Sequence, residues 1–242
     1  MLVLLLITKE NHNFEDHQYF EKNKFLAGVD EVGRGALAGP VVGACALLAP
    51  CEKKKAIATF SELSNLGLTD SKKLSHKKRL RIFTDLELVI AGVRPKKLIL
   101  PRVKDYGRLK IVVCEVTHTS IDKINILNAS LMAMGSAFKC LWDGVGSGRL
   151  LIDGQQKINL EHQLVQEIPL IKGDARSLLI ALASVAAKEY RDLLMVKYAH
   201  KYPHHGFEQH AGYPTARHKM ALDKFGVLPI HRKTFKGVKE LC

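Results

Sequence analysis

The chain has 242 residues, 47% of them hydrophobic and 25% charged, enough for one full-sized domain that buries roughly 70% of its unfolded surface without disulfide staples. That composition excludes disordered, collagen-like and miniprotein classes, and the longest apolar runs, Val41 to Ala49 and Leu178 to Ala187, fall far short of the ~20 residues of a membrane helix. With 37 Lys+Arg against 24 Asp+Glu the net charge is +13, which points to a polyanionic partner, most often nucleic acid, and away from a membrane, since no basic amphipathic segment stands apart.

In chain order, residues 1–24 form an N-terminal segment. Its apolar start, Met1 to Ile7, lacks a basic lead-in and a small-residue cleavage site before Lys9-Glu10, so no signal peptide is expected. Residues 25–30 and 40–48 read as strands. No helix fits between them, so they should pair antiparallel. Ser75 is a plausible N-cap for a helix carrying Leu80, Phe83 and Leu86. Residues 109–116 alternate like a half-buried strand. A helix is then expected from about Ser120 to Leu141, with Ile124, Leu127, Leu131, Met134 and Phe138 on one face. Leu150 to Asp153 make a short buried strand stopped by Gly154, and residues 167–172 make another. Gly173-Asp174 is expected to open a long helix reaching about His200. The tail 202–242 changes character: a helix from Thr215 to Phe225 is closed by Gly226. Arg217, Lys219, Lys224, Arg232, Lys233, Lys236 and Lys239 there outnumber Glu208, Asp223 and Glu240. The expected organisation is a domain over 25–201 followed by a basic helical extension over 202–242.

A hairpin followed by strand–helix alternation implies an α/β fold with a mixed sheet flanked by helices. Neither the dinucleotide-binding glycine fingerprint nor a phosphate-cradling P-loop is present. The five cysteines (45, 51, 114, 140 and 242) form an odd set without a C-x-x-C pair, which fits a reduced, cytoplasmic protein better than a disulfide framework or a zinc ribbon.

Four acids sit where strands end or a helix begins. Asp30 and Glu31 follow FLAGV, Asp153 follows LLI, and Asp174 follows EIPLIKG. Each has an ordinary explanation: an exposed turn pair, an Asp-Gly turn and a helix N-cap. Their joint placement at strand ends, where open α/β sheets build their sites, suggests a cluster instead. Two carboxylates ~4 Å apart repel by about 4 kcal/mol at an effective dielectric of 20, so such a cluster needs protons or cations. Oxygen ligands without His or Cys favour Mg²⁺ or Mn²⁺, and in a basic protein this suggests two-ion phosphodiester chemistry. Residues 30 and 31 point to opposite faces of a regular strand, so both reach one pocket only if the strand ends or twists there.

Several motifs then occur in one order: Gly28-Val29-Asp30-Glu31-Val32-Gly33-Arg34-Gly35 with Leu37-Ala38-Gly39-Pro40, then Asp70-Ser71-Lys72-Lys73-Leu74-Ser75 and Ile121-Asp122-Lys123-Ile124-Asn125. Lys172-Gly173-Asp174, Ala183-Ser184-Val185-Ala186-Ala187-Lys188-Glu189-Tyr190-Arg191-Asp192 and Gly212-Tyr213-Pro214-Thr215 follow. Over residues 25–236 the chain resembles bacterial ribonuclease HII, the type 2 ribonuclease H. The resemblance implies a ribonuclease H-like five-stranded mixed sheet flanked by helices, with a C-terminal helical extension. It implies an endonuclease, acting as a monomer, that cuts RNA in RNA–DNA hybrids and at single ribonucleotides embedded in duplex DNA. Asp30, Glu31, Asp153 and Asp174 would be the catalytic, metal-binding carboxylates for two Mg²⁺ or Mn²⁺ ions. One ion would orient and deprotonate the attacking water and the other would stabilise the leaving 3′ oxygen, giving 3′-hydroxyl and 5′-phosphate ends.

On the same resemblance, Gly33, Arg34 and Gly35 would read the ribose 2′-hydroxyl through backbone groups, and Tyr213 would stack at the RNA–DNA junction. The run Lys72, Lys73, Lys77, Lys78, Arg79 and Arg81 is either a solvated helix face or a phosphate grip, and the match favours Lys72 and Lys73 as contacts. Ala36 replaces the family's usual proline, which should affect turn stiffness only. Residues 87–107 look longer than the family's connection. His200, His204, His205 and His210 invite a zinc reading, but Pro203 interrupts any shared helix face, so surface or phosphate-side roles are expected. The competing readings are a basic nucleic-acid-binding module without catalysis, which the full acid set disfavours, and a junction resolvase, which lacks the Gly-Arg-Gly and Gly-Tyr-Pro-Thr elements.

Overall fold

A computed structural model describes residues 14–68, 74–85, 109–142 and 144–242. The expectations for Met1 to Ile7, for Asp70 to Lys73 (including Lys72 and Lys73), for the side chain of Phe83, for Leu86 and for residues 87–107 lie outside that description.

The elements run α1 (Asp16–Tyr19), β1 (Phe25–Val32), β2 (Val41–Leu48), α2 (Lys53–Asn65), α3 (His76–Asp85), β3 (Leu109–Val116), α4 (His118–Ile124), α5 (Ile126–Leu141), β4 (Gly148–Asp153) and β5 (Val165–Leu170). A 3₁₀ turn (Gly173–Ala175) leads to α6 (Leu178–Lys201), α7 (Phe207–His210), α8 (Ala216–Phe225) and a last 3₁₀ turn (Lys239–Leu241). No helix among the described residues is long and apolar enough to cross a membrane.

The sheet has five strands in the order β3-β2-β1-β4-β5. The β1–β2 and β2–β3 pairs are antiparallel, and β1–β4 and β4–β5 are parallel. This is the mixed sheet expected from a hairpin followed by alternation. Side-chain alternation divides the core into two layers. Leu26, Val32, Ala44, Ile111 and Leu151 pack with α6 on one face, and Phe25, Val29, Cys45, Val112 and Ile152 pack with α5 on the other. Helix α6 lies so close to β1 that a Cβ at Gly28 would sit 2.5 Å from the Ile180 nitrogen. A side chain there would push α6 off the sheet.

Several local expectations are corrected. The helix expected over 120–141 is two helices, because Asn125 takes φ +65°, a left-handed region that Asn tolerates better than most residues. Its Oδ1 accepts from the Asn128 amide (3.0 Å) and so caps α5, while the Thr117 hydroxyl caps α4 by accepting from the Ser120 amide. Leu127 is consequently exposed, and Ala129, Ala133, Met134, Ala137 and Phe138 carry the buried face. On α3, Leu80 faces outward and Ile82 inward, because Arg79 is buried to reach α6. The Arg79 guanidinium bonds Glu189 at 3.1 Å, Asp192 at 2.8 Å and the Leu74 carbonyl at 2.8 Å. Arg79 therefore joins α3 to α6 and is not a phosphate grip. Lys77, Lys78 and Arg81 remain exposed.

Asp174 does not cap a helix either. Helix α6 starts at Leu178, and Ser177 is its N-cap, accepting from the Ile180 amide at 3.2 Å. A second cap comes from far away in sequence: Asp16, buried, accepts from the Ser177 hydroxyl (2.7 Å) and the Leu178 amide (2.6 Å). Glu15 adds a two-pronged pair with Arg176 at 2.9 and 2.8 Å.

The histidines also differ from expectation. His200 and His204 are exposed, but His205 and His210 are buried, together with His218 and His231. They surround Phe207: the His210 and His218 rings stack at 4.4 Å, and His218 Nε2 lies 3.0 Å from His231 Nε2. Backbone groups of His205, Tyr213, Gly226 and Leu228 engage the remaining ring nitrogens. Each imidazole offers a flat apolar body with polar tips, which lets four of them fill the inside of a small helical tail.

Candidate active site

The register of β1 and β4 positions the acids. The strands run parallel with Gly28 beside Leu151 and Val29 beside Ile152, so Asp30 and Asp153 are next in register. Strand β1, expected over 25–30, runs on to Val32, so Asp30 and Glu31 lie inside its last pleats and not after it. Neighbouring strands lie about 4.8 Å apart, and the alternation that turns Leu151 toward α6 turns Asp153 the same way. Asp30 is only 6% exposed, so it is not part of an exposed turn. Its carboxylate accepts from the Glu31 amide (2.7 Å) and is hydrogen-bonded by the Ser184 hydroxyl of α6.

Asp153 is also more than a turn residue. Its Oδ1 accepts from the Gly173 amide at 2.7 Å, which ties the end of β4 to the turn holding Asp174. Gly173 has to be small here, since a Cβ would lie 2.6 Å from Ile180 Cδ1 and 3.1 Å from Asp153 Oδ1. Asp174, half-buried, is one residue further along this turn.

The electrostatics follow from this crowding. Burial raises the Asp30 carboxyl well above the usual carboxylate range, and the neighbouring charges of Glu31 and Asp153 raise it further. Glu31 is also raised, mainly by burial; Arg34 opposes the rise and Asp153 adds to it. The charges of Glu31 and Asp153 both bear on Asp30, and that of Asp153 bears on Glu31, although 30 and 31 leave the strand on opposite faces. Glu31 sits at the strand end with its Oε1 3.3 Å from Arg34 Nη1.

The donor set is oxygen-only, crowded and short of positive charge, which suits a hard divalent cation such as Mg²⁺ or Mn²⁺. Among the described residues no three His, Cys, Asp or Glu side chains form a ready-made metal cage. Mg²⁺ sites commonly take only one or two carboxylates, completed by waters and substrate phosphate, and the residues fit an open site of that kind.

Beside the acids lies the Gly33-Arg34-Gly35 turn. Gly33 has φ +93°, and a Cβ there would lie 2.3 Å from Arg191 Nε. Arg34 and Gly35 are exposed. Two buried arginines lie behind the segment from Arg34 to Pro40. Arg191, from α6, donates to the carbonyls of Pro40 (3.2 Å), Ala38 (3.1 Å) and Ala211 (2.8 Å). Arg232, from the tail, donates to the carbonyls of Arg34 (2.9 Å) and Gly39 (3.0 Å). Burial and the charge of Arg191 push Arg232 down to about 9, which leaves it cationic at neutral pH.

These contacts orient the turn. In a planar trans peptide the carbonyl and the next amide point opposite ways. With the Arg34 carbonyl held inward by Arg232, the Gly35 N–H is aimed outward, away from the protein. The Leu37 amide donates to the Gly212 carbonyl at 2.8 Å, and a Cβ at Gly35 would be 4.0 Å from Tyr213 Cε1. The Tyr213 ring, half-buried, has the Arg191 guanidinium 5.4 Å from its centroid. The Gly33-Arg34-Gly35 turn and Tyr213, far apart in sequence, are thus neighbours.

Ser184, Arg191 and Arg232 were not among the expected site residues, and Arg232 had been counted with the surface charges of the tail. The signal available for Arg191 was a charge on the inward side of α6, where Glu189 is buried too. Such polar groups are buried only with partners.

A family model described as ribonuclease HII matches residues 27–238. The ribonuclease HII of Enterococcus faecalis is 40% identical over 235 residues, covering 96% of this chain and 78% of its own. That of Chlorobium chlorochromatii is 38% identical over 226 residues, covering 93% and 96%. The crystal structure of ribonuclease H2 from Pyrococcus horikoshii shares the fold with a TM-score of 0.63 at 24% identity, covering 90% of this chain and 96% of that one.

Proposed function

The chain belongs to the ribonuclease HII family and is a ribonuclease H, a phosphodiester hydrolase of the RNA in RNA–DNA hybrids; from that premise we propose that it also cuts at single ribonucleotides embedded in duplex DNA. The observation that carries this reading is the meeting of two sets of residues: a crowded carboxylate pocket and an outward-facing peptide beside an aromatic ring.

In this reading Asp30, Glu31, Asp153 and Asp174 are the ligands of Mg²⁺ or Mn²⁺. Two such ions, when bound with substrate, would supply an activated water and a stabilised leaving 3′ oxygen, giving 3′-hydroxyl and 5′-phosphate ends. Ser184 and the Glu31 amide hold the Asp30 carboxylate in orientation, and the Gly173 amide does the same for Asp153. Fixed outer partners of this kind typically contribute 10–100-fold to metal affinity or activity.

The Gly35 N–H provides a backbone donor for the ribose 2′-hydroxyl, the group that distinguishes RNA from DNA at one position. A backbone donor reads the sugar and ignores the base. Tyr213 offers its ring face to the neighbouring sugar, and Arg191 fixes both the tyrosine and the turn, so the two readers keep one spacing. Exposed Lys77, Lys78 and Arg81, together with Lys72 and Lys73, add attraction for the phosphate backbone.

The test is a labelled DNA duplex with one internal ribonucleotide, incubated with Mg²⁺ or Mn²⁺, against the all-deoxy duplex and an EDTA control. The expected result is one incision at the ribonucleotide with 3′-hydroxyl and 5′-phosphate ends, and none in either control. Equal cutting of the all-deoxy duplex would refute ribose reading, and cutting in EDTA would refute the metal role.

A further inference from the structure

On the sheet face away from the candidate active site, three cysteines from separate elements come together. Cys114 is on the edge strand β3 and Cys140 is in the last turn of α5; their Sγ atoms are 3.9 Å apart. Cys45, on β2, lies on the same face, with Gly43 rather than Cys45 registered opposite Cys114. Cys140 is exposed and Cys114 half-buried, whereas Cys45 is fully buried.

From this geometry we propose that Cys114 and Cys140 form a redox-responsive thiol pair that closes to a disulfide, stapling the end of α5 to the edge of the sheet. The sulfurs need to approach by about 2 Å to reach bonding distance. Both belong to side chains at the rim of the packed layer, and the exposed one is the end that can move. The oxidant is a peroxide. The Cys140 thiolate attacks a peroxide oxygen, the O–O bond breaks, and a sulfenic acid and hydroxide result. The Cys114 sulfur then attacks the sulfenic sulfur. The S–S bond forms, the S–O bond breaks, and the oxygen leaves as water with the proton of the second thiol. Two thiols and one hydrogen peroxide become one disulfide and two waters. Cys45 is not a competitor, since it is shut away from solvent and burial pushes its thiol up, and the thiolate is the reactive form.

The pair lies on the opposite sheet face from Asp30 and Asp153, and its test reads thiols and stability rather than activity. The full chain, fully reduced and in EDTA, is treated with a small excess of hydrogen peroxide. Remaining thiols are then alkylated and the protein is analysed by intact mass and peptide mapping. Of the five cysteines, three should stay alkylatable, and a cross-linked peptide should join Cys114 to Cys140 in a monomeric chain. Its melting temperature should rise by a few degrees, as expected for closing a loop of this length. The conservative variant Cys140→Ser, at an exposed position, should fold normally and lose both the cross-link and the shift. Five alkylated thiols after oxidation would overturn the proposal, and so would cross-links through Cys51 or Cys242 in place of this pair.

Discussion

Asp30 illustrates a conflict between stability and function at a single residue. Burial and two neighbouring carboxylates disfavour its ionised form in the folded chain. The folded-state pKa thus lies above the unfolded one, and between those values folding takes up a proton. As pH rises above the unfolded value, this group costs stability in the folded chain unless a cation compensates. Asp30→Asn removes that charge with little change of shape. In EDTA at pH 7.5 the variant should melt at a higher temperature than the parent, and it should lose nearly all cleavage activity in Mg²⁺. A lower melting temperature with activity retained would contradict the assignment. The arginines show a related pattern. Arg191 and Arg232 are buried without a carboxylate partner among the contacts named above and bond only to carbonyls. Burying two guanidiniums for a surface turn makes little sense as packing. It makes sense as a way to fix the direction of each peptide in that turn.

Among the elements, what the sequence made legible is what depends on local pattern. The hairpin β1–β2, the span of β3 and helix α8 with Thr215 and Gly226 at its ends follow from spacing and turn residues, although β3, expected half-buried, is packed on both faces at Ile111, Val112 and Val113. The misses have a common cause: a tertiary contact overrode the local signal. Asp174 looks like a helix cap until Ser177 and the distant Asp16 take that role. Arg79 looks like a phosphate contact until Glu189 and Asp192 claim it. Nothing local marks Asn125 as the break between α4 and α5, since the flanking apolar spacing continues through it. Asp30 and Asp153 draw notice in the sequence because acids near strand ends go against strand propensity; Ser184, a small hydroxyl in an Ala-rich stretch, goes against nothing.

The tail gives a prediction at the same scale. Burial and neighbouring imidazoles (His210 and His205 for His218, His218 for His231) pull His218 and His231 down to about 4, against about 6.5 in an unfolded chain. As pH falls from 6.5 toward 4, the unfolded tail takes up protons that the folded tail refuses, so its stability declines across that window. Hydrogen exchange, corrected for intrinsic rates, should show amides of residues 207–231 losing protection at pH 5 relative to pH 7 while β1 and β2 keep theirs. Unchanged protection in the tail would show that the imidazole cluster does not control its docking.

For the whole molecule, two bodies of sequence meet over one substrate path. The sheet and α6 carry the carboxylates, and the tail contributes Tyr213 and Arg232, held by the Leu37–Gly212 and Arg232–Leu37 backbone bonds. The net charge of +13 supplies long-range attraction for a polyanion, while the pocket itself is locally acidic. The proposed cation site would gather carboxylates from β1, β4 and the turn after β5. The most direct measurement is calorimetric titration of Mn²⁺ into the full chain, alongside Asp30→Asn and Asp153→Asn variants shown to be folded. Binding by the parent, lost or weakened at least about tenfold in both variants, is the predicted result. Mn²⁺ binding by both variants indistinguishable from the parent would contradict it.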